Sequence, residues 1–169
     1  KEVFENKNYH LAKKVLAKME SYFHDKSSGV DPLASLLDTT ILIEEDEIKE
    51  IQLPESLLGI SIVDSKMKRQ VKKVVSLFLE KCEQKEFLNK IKHDYLELTN
   101  QCVDNYIKND VLGLKNSIKD LSRFQLNNFN EFIPESMMSQ WQRGLASGGD
   151  FLKLCGAGGG GHLIKLNCE

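Results

Sequence analysis

Apolar residues recur at helical spacing over much of this chain, and the breaks between those runs divide it into elements. Residues 7 to 23 carry Leu11, Val15, Leu16 and Met19 on one side and lysines on the other, which predicts an amphipathic helix. Ser27-Ser28-Gly29 ends that helix, and Pro32 opposes an immediate restart. Residues 39 to 44 form a β-branched run and 47 to 53 alternate apolar with polar, so a hairpin turning near Glu45-Asp46 is expected. Residues 57 to 63 read as a further buried strand. Between 68 and 83, Val71, Val74, Val75, Phe78, Leu79 and Cys82 trace one helix face. A second helix uses Phe87, Leu88, Ile91, Tyr95, Leu98, Cys102, Tyr106 and Ile107, and a third uses Leu114, Ile118, Leu121 and Leu126. Pro134 suits the first turn of a fourth, 135 to 147, which holds the single Trp141 before Gly148-Gly149 breaks it. Residues 151 to 155 predict a strand, 156 to 161 a loop and 162 to 166 a returning strand.

Strands on either side of a helical block, without regular βαβ alternation, argue for an α+β fold. The early strand pair and the late one are expected to meet in a single antiparallel sheet packed by about four helices.

Composition narrows the function classes. With 169 residues, 41% of them hydrophobic, the chain can build an ordinary core. Lys plus Arg number 23 and Asp plus Glu 25, a balance that gives nucleic acid or an anionic membrane no electrostatic grip on the whole chain. Lys66, Lys68, Arg69, Lys72 and Lys73 form a local basic cluster, offset by acidic stretches such as Glu44-Glu45-Asp46-Glu47. No apolar run approaches the roughly 20 residues needed to span a bilayer, and the first residues lack a signal-peptide core, so a cytoplasmic protein is the expectation. Cys82, Cys102, Cys155 and Cys168 show no CxxC spacing, and buried reduced thiols fit them better than a disulfide framework or a zinc site. The chain begins with Lys inside a helical pattern, which is the start expected of a piece of a longer protein.

Two stretches carry candidate chemistry. In Lys153-Leu154-Cys155-Gly156-Ala157-Gly158-Gly159-Gly160-Gly161-His162, five glycines in six loop positions permit positive φ and close backbone approach to a ligand. Successive N–H groups there can cradle phosphate oxygens, but a strained hairpin turn explains the same residues. No Gly-Lys-Ser/Thr follows, and the next element is a strand, so neither a Walker loop nor a dinucleotide fingerprint is present. In His24-Asp25-Lys26-Ser27-Ser28-Gly29-Val30-Asp31-Pro32, Asp31 can orient or deprotonate a substrate hydroxyl, or can serve as a turn residue before proline. His24 suits a helix cap as well as an acid or base.

Taken in order, Ser-Ser-Gly-Val-Asp-Pro and the later Lys-Leu-Cys-Gly-Ala-Gly-Gly-Gly-Gly resemble the GHMP kinases, most of all mevalonate kinases of the bacterial, Bacteroidetes type. The likeness extends over nearly the whole chain, through Phe78-Leu79-Glu80-Lys81-Cys82, Leu98-Thr99-Asn100-Gln101-Cys102, Phe124-Gln125-Leu126-Asn127-Asn128-Phe129 and Ile133-Pro134-Glu135. It implies that residues 1–38 are the end of an amino-terminal kinase domain, carrying a helix and the catalytic-aspartate turn, with the rest of that domain missing from this chain, and that 39–169 form a ferredoxin-like carboxyl-terminal kinase domain. It also implies phosphoryl transfer from ATP with magnesium to a small-molecule hydroxyl, and a homodimer is possible on the helical block. Asp31 would be the catalytic group, with Ser28 and Gly29 shaping its turn. Ser65, after Val63-Asp64, would supply a hydroxyl near the substrate. Gly156, Ala157, Gly158, Gly159, Gly160 and Gly161 would form the glycine motif beside the nucleotide. Departures are Asp25 in place of a glycine, Lys66 to Gln70 in place of a flexible stretch, and His162 after the glycines, which suits an edge strand. Lys68 and Arg69 are expected on the polar face of the helix that follows. The family's Pro-x-x-x-Gly-Leu-Gly-Ser-Ser loop, its acidic magnesium ligand and its lysine beside the aspartate do not occur here.

Overall fold

The computed structural model describes residues 8–23, 27–45, 47–52, 59–68 and 70–167. The chain divides into two compact units, Lys1–Pro54 and Glu55–Glu169. The hairpin at 40 to 51 falls within the first of these units. His24, Asp25, Asp46, Arg69, Cys168 and the start of the strand expected at 57 lie outside the described residues.

The first unit opens with α1 (Tyr9–Glu20), capped by Asn8, whose side-chain oxygen accepts from Leu11 N–H at 3.0 Å. A second helix, α2 (Val30–Leu37), starts where Pro32 was expected to prevent one. Pro32 is the third residue of α2, inside the first turn, where a missing N–H leaves no helical bond unmade. The hairpin is β1 (Thr40–Glu44) and β2 (Glu47–Ile51), in register from Thr40 opposite Ile51 to Glu44 opposite Glu47. Among the described residues of this unit the buried apolar ones are Ala12 of α1 and Leu33 of α2.

The second unit is α+β, with a small antiparallel sheet. Its strands are β3 (Ile60–Asp64), β4 (Phe151–Leu154) and β5 (His162–Leu166), in the order β3-β5-β4. The early hairpin forms a separate two-stranded sheet, so the single sheet expected from the pattern is not found; β3 is the strand that joins the late pair. Strand β5 matches β3 over five positions, Ile60 opposite Leu166 to Asp64 opposite His162, and β4 over four. Strand β5 is thus central, not an edge, and His162 is exposed only because it stands at the strand's first position.

The helices between β3 and β4 are α3 (Val71–Cys82), α4 (Lys85–Lys90), α5 (Leu96–Ile107), α6 (Val111–Asn128) and α7 (Glu135–Ser147). The second expected helix is thus α4 and α5 joined through a π-helical turn, Ile91–Tyr95. A π turn inserts one residue into the helical repeat, and here it lies where Tyr95 stacks on Phe124 and Phe129 at 5.3 and 5.0 Å. Pro134 stands just before α7 as its cap residue, one place earlier than expected, and its carbonyl accepts from Met137 N–H at 2.8 Å.

Phe129 is the hub of the core. Phe78, Phe87, Phe124 and Phe132 surround it at 5.6 to 6.2 Å between ring centres, mostly edge to face. Trp141, 1% exposed, donates its indole N–H to the Ser122 carbonyl at 3.2 Å. Leu152, Leu154 and Leu163 join this cluster from the sheet. Among the described residues no helix is long and apolar enough to cross a membrane.

Phe129→Ala should lower the stability of the second unit by about 3–5 kcal/mol, through lost burial and the cavity left among the rings. Urea unfolding checks this. Leu79→Ala, at a position 61% exposed, should stay within about 0.5 kcal/mol of the parent.

Candidate functional site

The glycine run joins β4 to β5, and its backbone is left-handed at Gly156, Gly158, Gly159 and Gly161, with φ of 61°, 76°, 73° and 73°. Gly160 has φ 120°. Only glycine enters such a succession without strain. Space is as restrictive as conformation. A Cβ on Gly159 would lie 2.3 Å from Val74 Cγ2, and one on Gly160 would lie 2.8 Å from the Met67 carbonyl oxygen.

The close approach arises because the segment after β3 clasps the loop. Ser65 N–H donates to the Gly161 carbonyl at 2.8 Å, Gly161 N–H to the Met67 carbonyl at 2.8 Å, and Gln70 N–H to the Gly159 carbonyl at 3.2 Å. From the other side, Gly159 N–H donates to the Phe132 carbonyl at 2.7 Å. Two amides of the run are thereby committed to the protein's own carbonyls. Among the described residues the amides of Gly156, Ala157, Gly158 and Gly160 make no hydrogen bond.

Ser65 is 2% exposed and lies within this clasp. Its hydroxyl accepts from Met67 N–H at 3.3 Å, and its carbonyl accepts from the Ser136 hydroxyl at 3.1 Å. Asp64 accepts from Lys66 N–H at 2.9 Å and pairs with the Lys66 ammonium at 2.9 Å. The Lys66 N–H, then its ammonium, hold the Asp64 carboxyl below its usual range, and His162 across the strand pair adds to this. Lys66 itself has φ 60°, a left-handed turn that this carboxylate braces.

Lys66 to Lys68 precede α3 instead of extending it, because α3 begins at Val71. The expectation that Lys68 would lie on the polar face of that helix is therefore overturned. Met67 and Gln70 are engaged with the glycine loop, and this holds the backbone out of helical geometry. Lys68, Lys72 and Lys73 are exposed around the start of α3.

Asp31 lies in the first unit. It is exposed, the second residue of α2, where an acidic side chain suits the N–H groups of the first turn. Gly29, φ 72°, presses on α1: a Cβ there would lie 2.2 Å from the Lys13 carbonyl oxygen. Ser27 donates to the Glu20 carboxylate and accepts from Gly29 N–H at 3.0 Å, while the Ser28 hydroxyl accepts from Val30 N–H at 3.3 Å. Ser28 and Gly29 thus shape the turn that leads into Asp31. The glycine motif and Ser65 come together in the second unit; Asp31 belongs to the first.

Below Gly156 and Ala157 lies a cavity of about 220 Å³, walled by Val74, Phe78, Tyr95, Phe129, Phe132 and Leu154. Gln125, 1% exposed, crosses its floor. The Gln125 carbonyl oxygen accepts from Leu154 N–H at 2.9 Å, and its amide donates to the Tyr95 hydroxyl at 3.3 Å. The sequence held one sign of it: Gln125 follows Leu114, Ile118 and Leu121 at spacings of four, three and four, a polar residue on an apolar face.

Among the described residues no cluster of three His, Cys, Asp or Glu side chains is placed to hold a metal ion. Cys82, Cys102 and Cys155 are partly buried thiols outside any disulfide, and burial pushes the Cys102 thiol up. Comparison with protein-family models, with curated proteins and with solved structures gave no match.

Gly159→Ala should cost about 2 kcal/mol or more, combining left-handed strain with the clash at Val74. Gly148→Ala, at φ 71° with nothing within 4 Å of the added carbon, should cost about 1 kcal/mol; paired urea melts separate the two. The turn at Asp64 carries a pH signature. A folded carboxyl pKa held below its unfolded value contributes stability above that unfolded value, about 4, and loses it as pH falls through the folded one. The stability difference between the parent and Asp64→Asn should be constant from neutrality to about pH 5 and shrink on further acidification.

Proposed function

We propose that this chain is the carboxyl-terminal portion of an ATP-dependent small-molecule kinase of the GHMP type, with the primary hydroxyl of mevalonate as the favoured acceptor. One observation carries the reading: the glycine loop is fixed from both sides by hydrogen bonds, yet four of its amides make none among the described residues. A rigid loop of this kind, beside the start of α3 with Lys68, Lys72 and Lys73, suits the phosphate side of a nucleotide or of a phosphorylated product.

In this proposal Asp31 orients the attacking hydroxyl, and Ser28 and Gly29 hold its turn. Ser65 fixes the loop from beneath through its backbone, while its side chain is engaged with Met67. Positioning and charge neutralisation supply most of the acceleration in phosphoryl transfer, so the loop's rigidity is a functional property. Magnesium bound to ATP would neutralise charge on the transferred group. Among the described residues no cluster of three His, Cys, Asp or Glu side chains is placed to hold that ion.

A second reading has its own support. Gly159 and Gly161 use their amides on Phe132 and Met67, which a purely structural hairpin or a non-catalytic binding module would also do.

Turnover separates the readings. ATP consumption by the longer protein, screened with mevalonate, phosphomevalonate, galactose and homoserine, should respond to one acceptor. Asp31→Asn should then cut kcat by about 10²–10⁴-fold with little change in urea midpoint. Silence with every acceptor would favour the non-catalytic module, and full activity of Asp31→Asn would remove Asp31 from the chemistry.

A further inference from the structure

We infer that the cavity beneath Gly156 and Ala157 is a binding site for an uncharged apolar group: an aromatic ring or a compact branched hydrocarbon. The inference rests on the cavity alone and does not need the phosphoryl-transfer reading.

Size is the first argument. At about 220 Å³ the void exceeds a cavity of about 150 Å³, which already accepts benzene. Native cores hold few voids larger than a water molecule, because the lining atoms forfeit dispersion contacts. This one opens to the surface and is lined by Phe78, Phe129 and Phe132 of the aromatic cluster.

Chemistry of the wall is the second. Val74, Phe78, Phe129, Phe132 and Leu154 offer only carbon. Gln125 bonds to Leu154 N–H and to the Tyr95 hydroxyl, and so turns its polar atoms onto the protein. A trapped water needs about two to four polar partners, and apart from the Gly156 and Ala157 backbone at the lip this wall turns few polar atoms inward. A carboxylate or phosphate inside would lose its hydration without compensation. The ammonium of Lys81, 5.9 Å from the Phe132 ring centre, is already paired with Glu131 at 2.5 Å.

Access and construction are the third. Gly156 is exposed at the lip, and Val75, 42% exposed, stands on α3 at the other side of the mouth. Tyr95 reaches the wall as the last residue of the π turn. Such insertions cost helical hydrogen-bond geometry and concentrate at functional sites.

Toluene and benzoate, alike in ring and opposite in charge, test the inference on the chain itself. Toluene should shift the methyl resonances of Val74, Val75, Leu154 and Ala157 in a saturable manner and raise the melting temperature; benzoate should do neither. Val75→Phe, at the mouth, should weaken toluene binding by about tenfold or more while the protein still melts cooperatively. Ala157→Phe serves the same purpose should Val75→Phe fail to fold. Unmoved methyls, benzoate binding as well as toluene, or undiminished toluene affinity in the folded variants would each overturn it.

Discussion

Four backbone hydrogen bonds hold the glycine loop, and much of the second unit follows from them. Three run to the segment between Ser65 and Gln70, and the fourth to the Phe132 carbonyl. They bring the exit of β3, the start of α3, the turn before α7 and the β4–β5 connection to one place. The glycines are what permit it, since a side chain at Gly159 or Gly160 would collide with Val74 or with the Met67 carbonyl. Loop conformation and helix placement are thus one constraint. Changing the loop would unseat α3, and moving α3 would release the loop.

The same constraint builds the cavity. Val74 is pressed by Gly159 on one side and faces the aromatic cluster on the other. Phe132 gives its carbonyl to the loop and its ring to the wall. Gln125 completes the arrangement by holding the end of β4 and the Tyr95 hydroxyl together. Buried amides satisfied in this way specify a unique arrangement, because each alternative leaves a donor or an acceptor unpaired.

Periodicity made the helices from Val71 to Ser147 legible, because amphipathic faces repeat locally along the chain. The two hairpins were legible for the same reason: Glu45-Asp46 and the glycine run are local punctuation. Pairing was not. Nothing near Ile60 says that its strand will meet Leu166 and leave the Thr40–Ile51 hairpin to itself, since the choice depends on distant partners. The π turn escaped notice because Ile91, Tyr95 and Leu98 keep helical spacing in either geometry. Pro32 misled, because proline forbids a helix interior and not a first turn. In the candidate site the glycine motif stood out by composition, whereas the Phe132 carbonyl and the wall from Tyr95 carry no sequence mark.

The central place of β5 has a consequence for how the second unit comes to exist. Its two neighbours are β4, a short loop away, and β3, about a hundred residues earlier in the chain. Helices can form as synthesis proceeds, but the sheet cannot close until residues 162 to 166 are in reach. Closing so long a loop late is slow relative to local helix formation. Until then β3, with Ile62 on its surface, is a strand without a partner, the kind of edge that recruits other chains. A growing chain of this protein is therefore most prone to aggregate just before β5 emerges.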